Sequence, residues 1–504
     1  MDPTKRIILN TLVQYSRSVL NILLSLFSTR LIVDALGDSD YGLYVLVGGV
    51  VALLGFITNA LVITTQRYVS FYFGNSDIVH VKKIFTNSFF IHLVFSVIIV
   101  IVLYLLKDVI VYNWLNIEAG REDEAEIVYI ITIFMLVVTI LISPFKALFI
   151  ARENIVYISI VEIFDGFLKL GIAAWVIFTT ADKLLLYAFL MFLIQVINLA
   201  AFVIYAITKF EECSILIKPK EIDFSIIRQL AGFAGWSTYS MGAVVLRSQG
   251  VQILLNRVFG TIINAGYGIA MQVYGSISFV ATSVLNAMNP QIMKAEGEGN
   301  REKMLHLAEM ESKYSSMLLI LIIIPLIFEA TSIIEFWLGD MTEGADMFCQ
   351  FILAAFIIDQ LTYGLNTANQ ALGRIKNYSL LMYTPKMLVL IPMYYLLKYG
   401  YPPSSLMWLY VIVEAIVSIA RLPYIKYTCG MSISHFVKAV FIPLIPLLIT
   451  QSLVSFLCVN YLSCSYRFLV TVFVSIFIGF IVLWNTSLTS DEKNFALNLV
   501  HIKH

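Results

Sequence analysis

Charge is scarce in this sequence. Asp, Glu, Lys and Arg make up 13% of the 504 residues, whereas hydrophobic residues make up 60%. Soluble domains contain about 25% charged and roughly 45–50% apolar residues. Together with a mean hydropathy of +0.86, these values exclude an ordinary soluble enzyme and a disordered chain. The net charge is zero, from 33 cations and 33 anions, and we expect no nucleic-acid partner.

Cysteine pairs and catalytic motifs are also lacking. The five cysteines show no CxxC or Cys/His ligand spacing, and GxxxxGK[ST], HExxH and GxSxG do not occur. Asp38-Ser39-Asp40 resembles the DxD of metal-dependent glycosyltransferases. We interpret it as a solvated acidic turn, because no loop reaches the ~50 residues of a separate catalytic domain. We therefore expect transport rather than an enzyme, with no metal site and no cofactor.

Long apolar runs are what the sequence does contain. The apolar residues (0.60 × 504, or about 302) suffice for about 14 crossings at about 20 residues each. Hydropathy therefore predicts an all-α polytopic membrane protein. Its fourteen predicted segments are 9–34, 41–66, 85–106, 127–150, 155–178, 184–208, 229–256, 262–290, 313–338, 346–370, 378–398, 404–425, 436–459 and 466–487.

The cations are distributed unevenly over the connections between these segments. Alternate connections hold 20 cations, among them Lys146, while the other set holds six and most of the acidic clusters. Because cations accumulate on the cytoplasmic side, both termini are expected in the cytoplasm. A bacterial inner membrane is the expected location, and an even number of crossings follows.

An internal repeat divides the chain. Tyr41-Gly42 recurs as Tyr267-Gly268, and Arg152 has a counterpart in Arg374, at offsets of 222–226 residues. Six segments, an even number, separate the copies, which predicts two six-helix lobes related by an axis along the membrane normal. The alternative is chance similarity between loops. The predicted domains are a first lobe over 1–208, a linker over 209–228, a second lobe over 229–430, and two extra helices with a tail over 431–504.

One arginine lies deep in the first segment of each predicted lobe. Arg17 and Arg247 have hydroxyl and amide neighbours, and Gln249 and Asn256 continue the polar series after Arg247. A charge at the bilayer centre costs about 2.5–3.5 kcal/mol even on a lenient scale. We predict that both arginines line a cationic central cavity that binds phosphate; the alternative is a structural salt bridge inside a lobe. Arg30 is a further cavity candidate that could instead snorkel or pair with Asp34.

Further charges lie inside predicted segments. Glu162, Asp165 and Lys169 share one helical face, either as internal ion pairs or as a site for a coupling ion. Asp359 marks a similar polar face, and Lys386 is predicted to reach the cavity. Lys313 and Arg421 lie nearer segment ends, so we expect them to snorkel.

The opening of the chain resembles a known group of transporters. Arg30 through Gly37, Tyr41-Gly42, Gln66-Arg67 and Gly74-Asn75 are similar to the bacterial polysaccharide flippases of the Wzx type. These belong to the MOP superfamily, which also contains the MATE multidrug carriers and the lipid II flippase. Other Wzx-type members are thought to have twelve spans, so the last two predicted helices depart from that pattern.

The resemblance implies a function and its partners. Such a protein would move an undecaprenyl-diphosphate-linked oligosaccharide, an O-antigen or capsule repeat unit, to the outer leaflet by alternating access through the central cavity. The substrate and membrane lipids are the expected partners of a monomer, with or without the polysaccharide polymerase machinery. The last two helices could hold the polyprenyl tail, as they do in the lipid II flippase. Coupling to Na⁺ or H⁺ stays open, and the alternative function is a cation-coupled MATE-like drug exporter.

Overall fold

The computed structural model describes residues 3–52, 54–114, 117, 120–180, 182–213, 219–338, 343–464, 466–490 and 492–493. Over these residues the chain is helical, without strands. The helices are α1 Pro3–Ala52, α2 Gly55–Gly74, α3 Ile78–Leu105, α4 Glu122–Ala151, α5 Ile155–Val176, α6 Lys183–Lys209, α7 Phe224–Gly297, α8 Arg301–Phe328, α9 Ala330–Leu338, α10 Ala345–Gln360, α11 Tyr363–Leu372, α12 Ile375–Leu388, α13 Leu390–Lys398, α14 Pro403–Cys429, α15 Ile433–Phe436, α16 Ile442–Tyr461 and α17 Arg467–Val482.

The fourteen predicted segments all fall on helix within the described residues. Nine of the described helices are long and apolar enough to cross a membrane, and the α10–α11 pair, bent by 47°, makes a tenth. The first, second, fifth and seventh segments fall outside these ten; α5, for example, carries Glu162, Asp165 and Lys169 within 22 residues. The predicted all-α, multi-pass membrane protein is confirmed, and the helices outside the ten carry most of the predicted site residues.

The chain forms two compact units, Arg6–Met241 and Gly242–His504. The described part of the predicted linker is anchored on the first unit. Glu212 accepts two hydrogen bonds from Arg152, at 2.5 and 2.7 Å. Asn87 on α3 bonds the backbone of Glu221 and Asp223. These contacts attach the segment after α6 to the first unit.

Helix lengths recur between the two units. α3 and α8 each have 28 residues, at an offset of 301 − 78 = 223. α6 and α14 each have 27, at an offset of 403 − 183 = 220. The side chains of Asp77 and Asn300 cap α3 and α8 in the same way, each accepting from a backbone N–H three residues on. The helices therefore support the predicted repeat.

The first two segments of each unit are joined by a sharp bend rather than a loop. Helix continues through Gly37, with φ 77° and ψ 167°, and through Gly260, with φ 81° and ψ −167°. These glycines are 223 residues apart, and their conformation is open almost only to glycine. A single residue thus makes the bend where the sequence predicted a turn of several residues.

The acidic turn after Gly37 differs from the expectation. The side chains of Asp38 and Ser39 lie outside the described residues. Asp40 is bonded to Arg121, at 2.5 and 3.1 Å, and the same guanidinium contacts Asp182 at 3.1 Å. Asp40 is therefore engaged by a cation and is not a free solvated carboxylate.

The predicted segment 313–338 begins 313 − 301 = 12 residues late and runs across a break at Glu329, whereas its end at 338 is also the end of α9. α8 begins at Arg301 and ends at Phe328, and the short α9 follows after Glu329. The sequence of the first three turns of α8 is polar, so a hydropathy window misses them. Arg301, Glu302, Lys303 and His306 are exposed there, whereas Glu309, Glu311 and Ser312 are buried.

The bend at Gly260 can be tested against a matched glycine. At both Gly260 and Gly268 an added Cβ would have no atom within 4 Å, but only Gly260 has a positive φ. We expect Gly260→Ala to lower the free energy of unfolding by about 1–3 kcal/mol, because alanine is strained in that conformation. Gly268→Ala should leave stability unchanged or raise it. Thermal unfolding of the purified protein in detergent measures both changes in stability. Equal changes for the two substitutions would contradict a bend that requires glycine at position 260.

Candidate substrate-binding networks

The first unit contains a polar network between helices. Arg17 on α1 lies 2.7 Å from an oxygen of Glu162 on α5. The other oxygen of Glu162 accepts from Lys146 on α4, at 2.9 Å. Lys169 pairs with Asp165 one turn away at 2.7 Å, and Asn198 on α6 donates to Asp165 at 2.7 Å. Four helices thus converge on three cations and two carboxylates.

The second unit contains a network of the same composition. Glu414 on α14 accepts from Arg247 on α7 at 2.6 Å through one oxygen, and its other oxygen contacts Lys386 on α12. Lys386 also reaches Asp359 on α10 at 3.2 Å, and Arg421 bonds the same Asp359 oxygen at 2.6 Å. The ring of Tyr410 lies 4.0 Å from the Arg247 guanidinium. Charges of opposite sign alternate along this chain of five residues.

The repeat relates the helices that build the two networks. The first network uses α1, α4, α5 and α6, and the second uses α7, α10, α12 and α14. These are the first, fourth, fifth and sixth segments of each half. Each network carries three cations against two anions, a formal excess of 3 − 2 = +1 in each. The charged residues of the two networks do not lie at equivalent positions of the repeat. The two halves therefore share the charge balance but not the positions of the charges.

The two networks differ in burial. In the first, the side chains of Lys146 and Lys169 are 36% and 33% exposed. In the second, those of Arg247, Lys386 and Arg421 are at most 6% exposed. The lysines of the first network are therefore partly exposed, whereas the cations of the second network are covered by protein.

The two arginines that the sequence singled out are both paired. Arg17 and Arg247 each lie beside a carboxylate of their own unit, which is the kind of salt bridge that we gave as the alternative. That both arginines line a cavity between the lobes stays a prediction. Removing two charges from water is costly unless they are paired. Arg30, Gln249 and Asn256 are exposed, and among the described residues no hydrogen bond or ion pair joins them to either network.

Glu162, Asp165, Lys169, Asp359 and Lys386 are all brought into the networks by the fold. Lys146, which we counted among the cations of a connection although it falls inside the predicted segment 127–150, lies in α4. Arg421 does not snorkel, since it is 1% exposed. Glu414 and Arg421 are seven residues apart, two helical turns, and this spacing of opposite charges was a signal that could have revealed the second network.

Two more ion pairs hold the C-terminal part of the chain on earlier helices of the second unit. Arg467, before the apolar part of α17, bonds Glu329 at 3.0 Å, and Thr471 donates to the same carboxylate. Glu492 accepts from Lys313 and Tyr314 of α8. Lys313 is therefore buried and paired, not snorkelling. The last two helices are held on α8 by buried polar contacts as well as by apolar packing.

Comparison with solved structures identifies the fold. A MATE transporter in a bent conformation aligns over 85% of this chain and 96% of its own, with a TM-score of 0.75 and 12% identity. An outward-facing multidrug resistance MATE transporter of the MOP superfamily aligns over the same shares, with a TM-score of 0.69 and 12% identity. A MOP superfamily transporter from Pyrococcus furiosus, described as having a binding pocket of reverse polarity that suggests a different function, gives 0.71 and 13% over 85% and 96%.

Sequence comparison adds no closer assignment, since no family model and no curated protein matches this chain. The chain therefore has the fold of the MATE transporters of the MOP superfamily. It is a multi-pass membrane protein whose structural relatives are transporters.

The pairing of charges in the networks predicts unequal costs of breaking them. Glu414→Gln should lower the free energy of unfolding by about 3–5 kcal/mol, because it leaves Arg247 and Lys386 buried without their carboxylate. Glu162→Gln should cost about 1 kcal/mol, because its partners are partly exposed. Unfolding in detergent measures both values. Equal losses, or a larger loss for Glu162→Gln, would contradict the difference in burial.

Proposed function

We propose that this protein is a flippase for an undecaprenyl-diphosphate-linked oligosaccharide, such as an O-antigen or capsule repeat unit. It would lie in the bacterial inner membrane with both termini in the cytoplasm. The transporter fold, the sequence resemblance to Wzx-type flippases and the cation excess in the polar networks support this proposal. The cation excess is the observation that carries it, because a diphosphate is the charged part of such a substrate.

The first network suits a phosphate group in charge and chemistry. Three cations converge on two carboxylates, and the two lysines are the partly exposed members. Guanidinium and ammonium groups bind phosphate oxygens through charge-assisted hydrogen bonds. A phosphate group can pair with the cation charge that the two carboxylates leave unbalanced, and the existing ion pairs need not all break. We assign Lys146 and Lys169 to first contact with the head group, and Arg17 to holding Glu162 in place beside them.

A cation-coupled drug exporter is the second candidate, favoured by the fold match to a multidrug MATE transporter. That activity requires carboxylates available to a cationic compound. Glu162, Asp165, Asp359 and Glu414 are all occupied by lysine or arginine. This occupancy argues for an anionic substrate over a cationic one.

The function can be tested in cells that lack their own flippase and carry this protein. We expect Lys146→Gln and Lys169→Gln each to reduce surface polysaccharide at least several-fold, with a larger loss for the double variant, because the head group loses its accessible cations. The protein level in the membrane should be unchanged. Surface polysaccharide is measured by blotting, together with the amount of protein.

A matched control is Lys303→Gln, which removes a lysine paired with Glu298 at 2.9 Å outside both networks. It should complement like the wild type. Full complementation by the double variant of Lys146 and Lys169 would contradict their assignment to first contact with the head group. Raised resistance to cationic dyes on expression, without any polysaccharide, would favour the exporter instead.

A further inference from the structure

One buried carboxylate outside both networks has no cation beside it among the described residues. Glu311 on α8 is 0% exposed. The other buried carboxylates described above each have a lysine or arginine within 3.2 Å. Among the described residues, no lysine, arginine or histidine forms an ion pair with Glu311. An isolated ionised carboxylate in an apolar interior is very costly, and such a group becomes neutral instead.

The groups around Glu311 are hydroxyls and amides. Thr367 Oγ1 on α11 lies 3.0 Å from Glu311 Oε1 and 3.1 Å from Asn289 Oδ1 on α7. Glu311 Oε2 has no hydrogen-bond partner among the described residues. The Thr367 hydroxyl is thus the group that Glu311 and Asn289 share.

The hydrogen count points to a proton. The Thr367 hydroxyl has one hydrogen, which can serve Glu311 or Asn289 but not both. If Glu311 is protonated, its O–H donates to Thr367 Oγ1, and the Thr367 O–H donates to Asn289 Oδ1. Both short contacts then become hydrogen bonds, and the carboxyl group carries no charge. The proton comes from water, and no other group changes its protonation.

Charged groups on the elements packed against α8 do not offer another counter-charge. Of the residues on α11, Tyr363 is the one that can ionise, and α16 has none that is charged. Most of the other charged groups on these elements have partners of their own: Asp359 with Arg421, Asp346 with Thr331, Arg467 with Glu329, Glu309 with His435, and Lys313 with Glu492. Glu335 and Lys438 are exposed.

The first unit has a different residue at the equivalent place. The offset of 223 between α3 and α8 relates Glu311 to Ser88. Ser88 is buried and contacts Thr65 at 2.5 Å and His92 at 3.5 Å. A hydroxyl thus satisfies this position in one half of the molecule, so the carboxylate in the other half is not required by packing alone.

Glu311 lies beside a close helix contact. A Cβ on Gly364 of α11 would come within 1.9 Å of the Ala308 carbonyl oxygen of α8. Gly364 N–H also donates to Ser312 at 3.0 Å. Helices this close leave no room for water around an ionised carboxylate. We propose that Glu311 is a proton-binding site of the second unit, loaded while α8 and α11 are in contact, and that loss of the proton weakens this contact.

The test is the pH dependence of stability of the full-length protein in nanodiscs. An ordinary glutamate in the unfolded chain ionises near pH 4.3. The folded protein then binds one more proton than the unfolded chain at neutral pH, so stability falls as pH rises. Glu311→Gln keeps a neutral side chain and should lose this fall, becoming more stable than the wild type at high pH, with the gap closing at low pH. Glu311→Ser, the residue of the first unit, should behave likewise.

The control is Glu298→Gln, which removes a surface carboxylate in the same half of the chain. Its stability should depend on pH as that of the wild type does. If the stability of the wild type and of Glu311→Gln changed with pH in parallel, the proposal would be overturned. A stabilisation by Na⁺ at constant pH that Glu311→Gln abolishes would also overturn it, because the site would then hold a metal cation. Infrared spectra of the wild type at neutral pH give a readout that needs no variant: a deuterium-sensitive carboxylic acid band is expected, and its absence would contradict the proposal. Neither measurement depends on the substrate.

Discussion

The structure depends on the pairing of charges inside an apolar helix bundle. Every arginine or lysine in the two networks has a carboxylate within 3.2 Å, and every pair except Lys169–Asp165 joins two helices. A single pair would neutralise one cation and fix two helices. The five charges of the second network lie on four helices, and those of the first lie on three, to which Asn198 adds α6. Each network leaves one positive charge over, which connects the packing of the fold to the kind of substrate that we propose.

Much of the fold could be predicted because the bilayer imposes length and polarity on each helix. The hydropathy of segments such as 85–106 and 127–150 located the C-terminal ends of α3 and α4 to within one residue, at Leu105 and Ala151. The ends of α8 could not be found that way, because Glu311, Ser312 and their neighbours are polar yet buried among helices. Burial of polar residues is a tertiary property, and a window of local hydropathy does not contain it.

The site was predicted in composition but not in arrangement. The sequence identified Arg17, Glu162 and Arg247 as residues that lipid would not tolerate, and the fold brings each into a network. It could not reveal that Arg17 meets Glu162, or Arg247 meets Glu414, since these partners are 145 and 167 positions apart (162 − 17 and 414 − 247). Arg421 was misjudged because distance from a helix end was taken as a measure of exposure, whereas neighbouring helices cover it.

Reconstitution tests the central claim most directly. The purified protein would be placed in liposomes that contain a lipid-diphosphate-linked oligosaccharide with a label on the sugar, and the label reaching the opposite leaflet would be measured over time. The account predicts faster transfer with the wild type than in protein-free liposomes, and no comparable transport of a cationic dye. Dye transport without lipid transfer would contradict an anionic head group as the substrate.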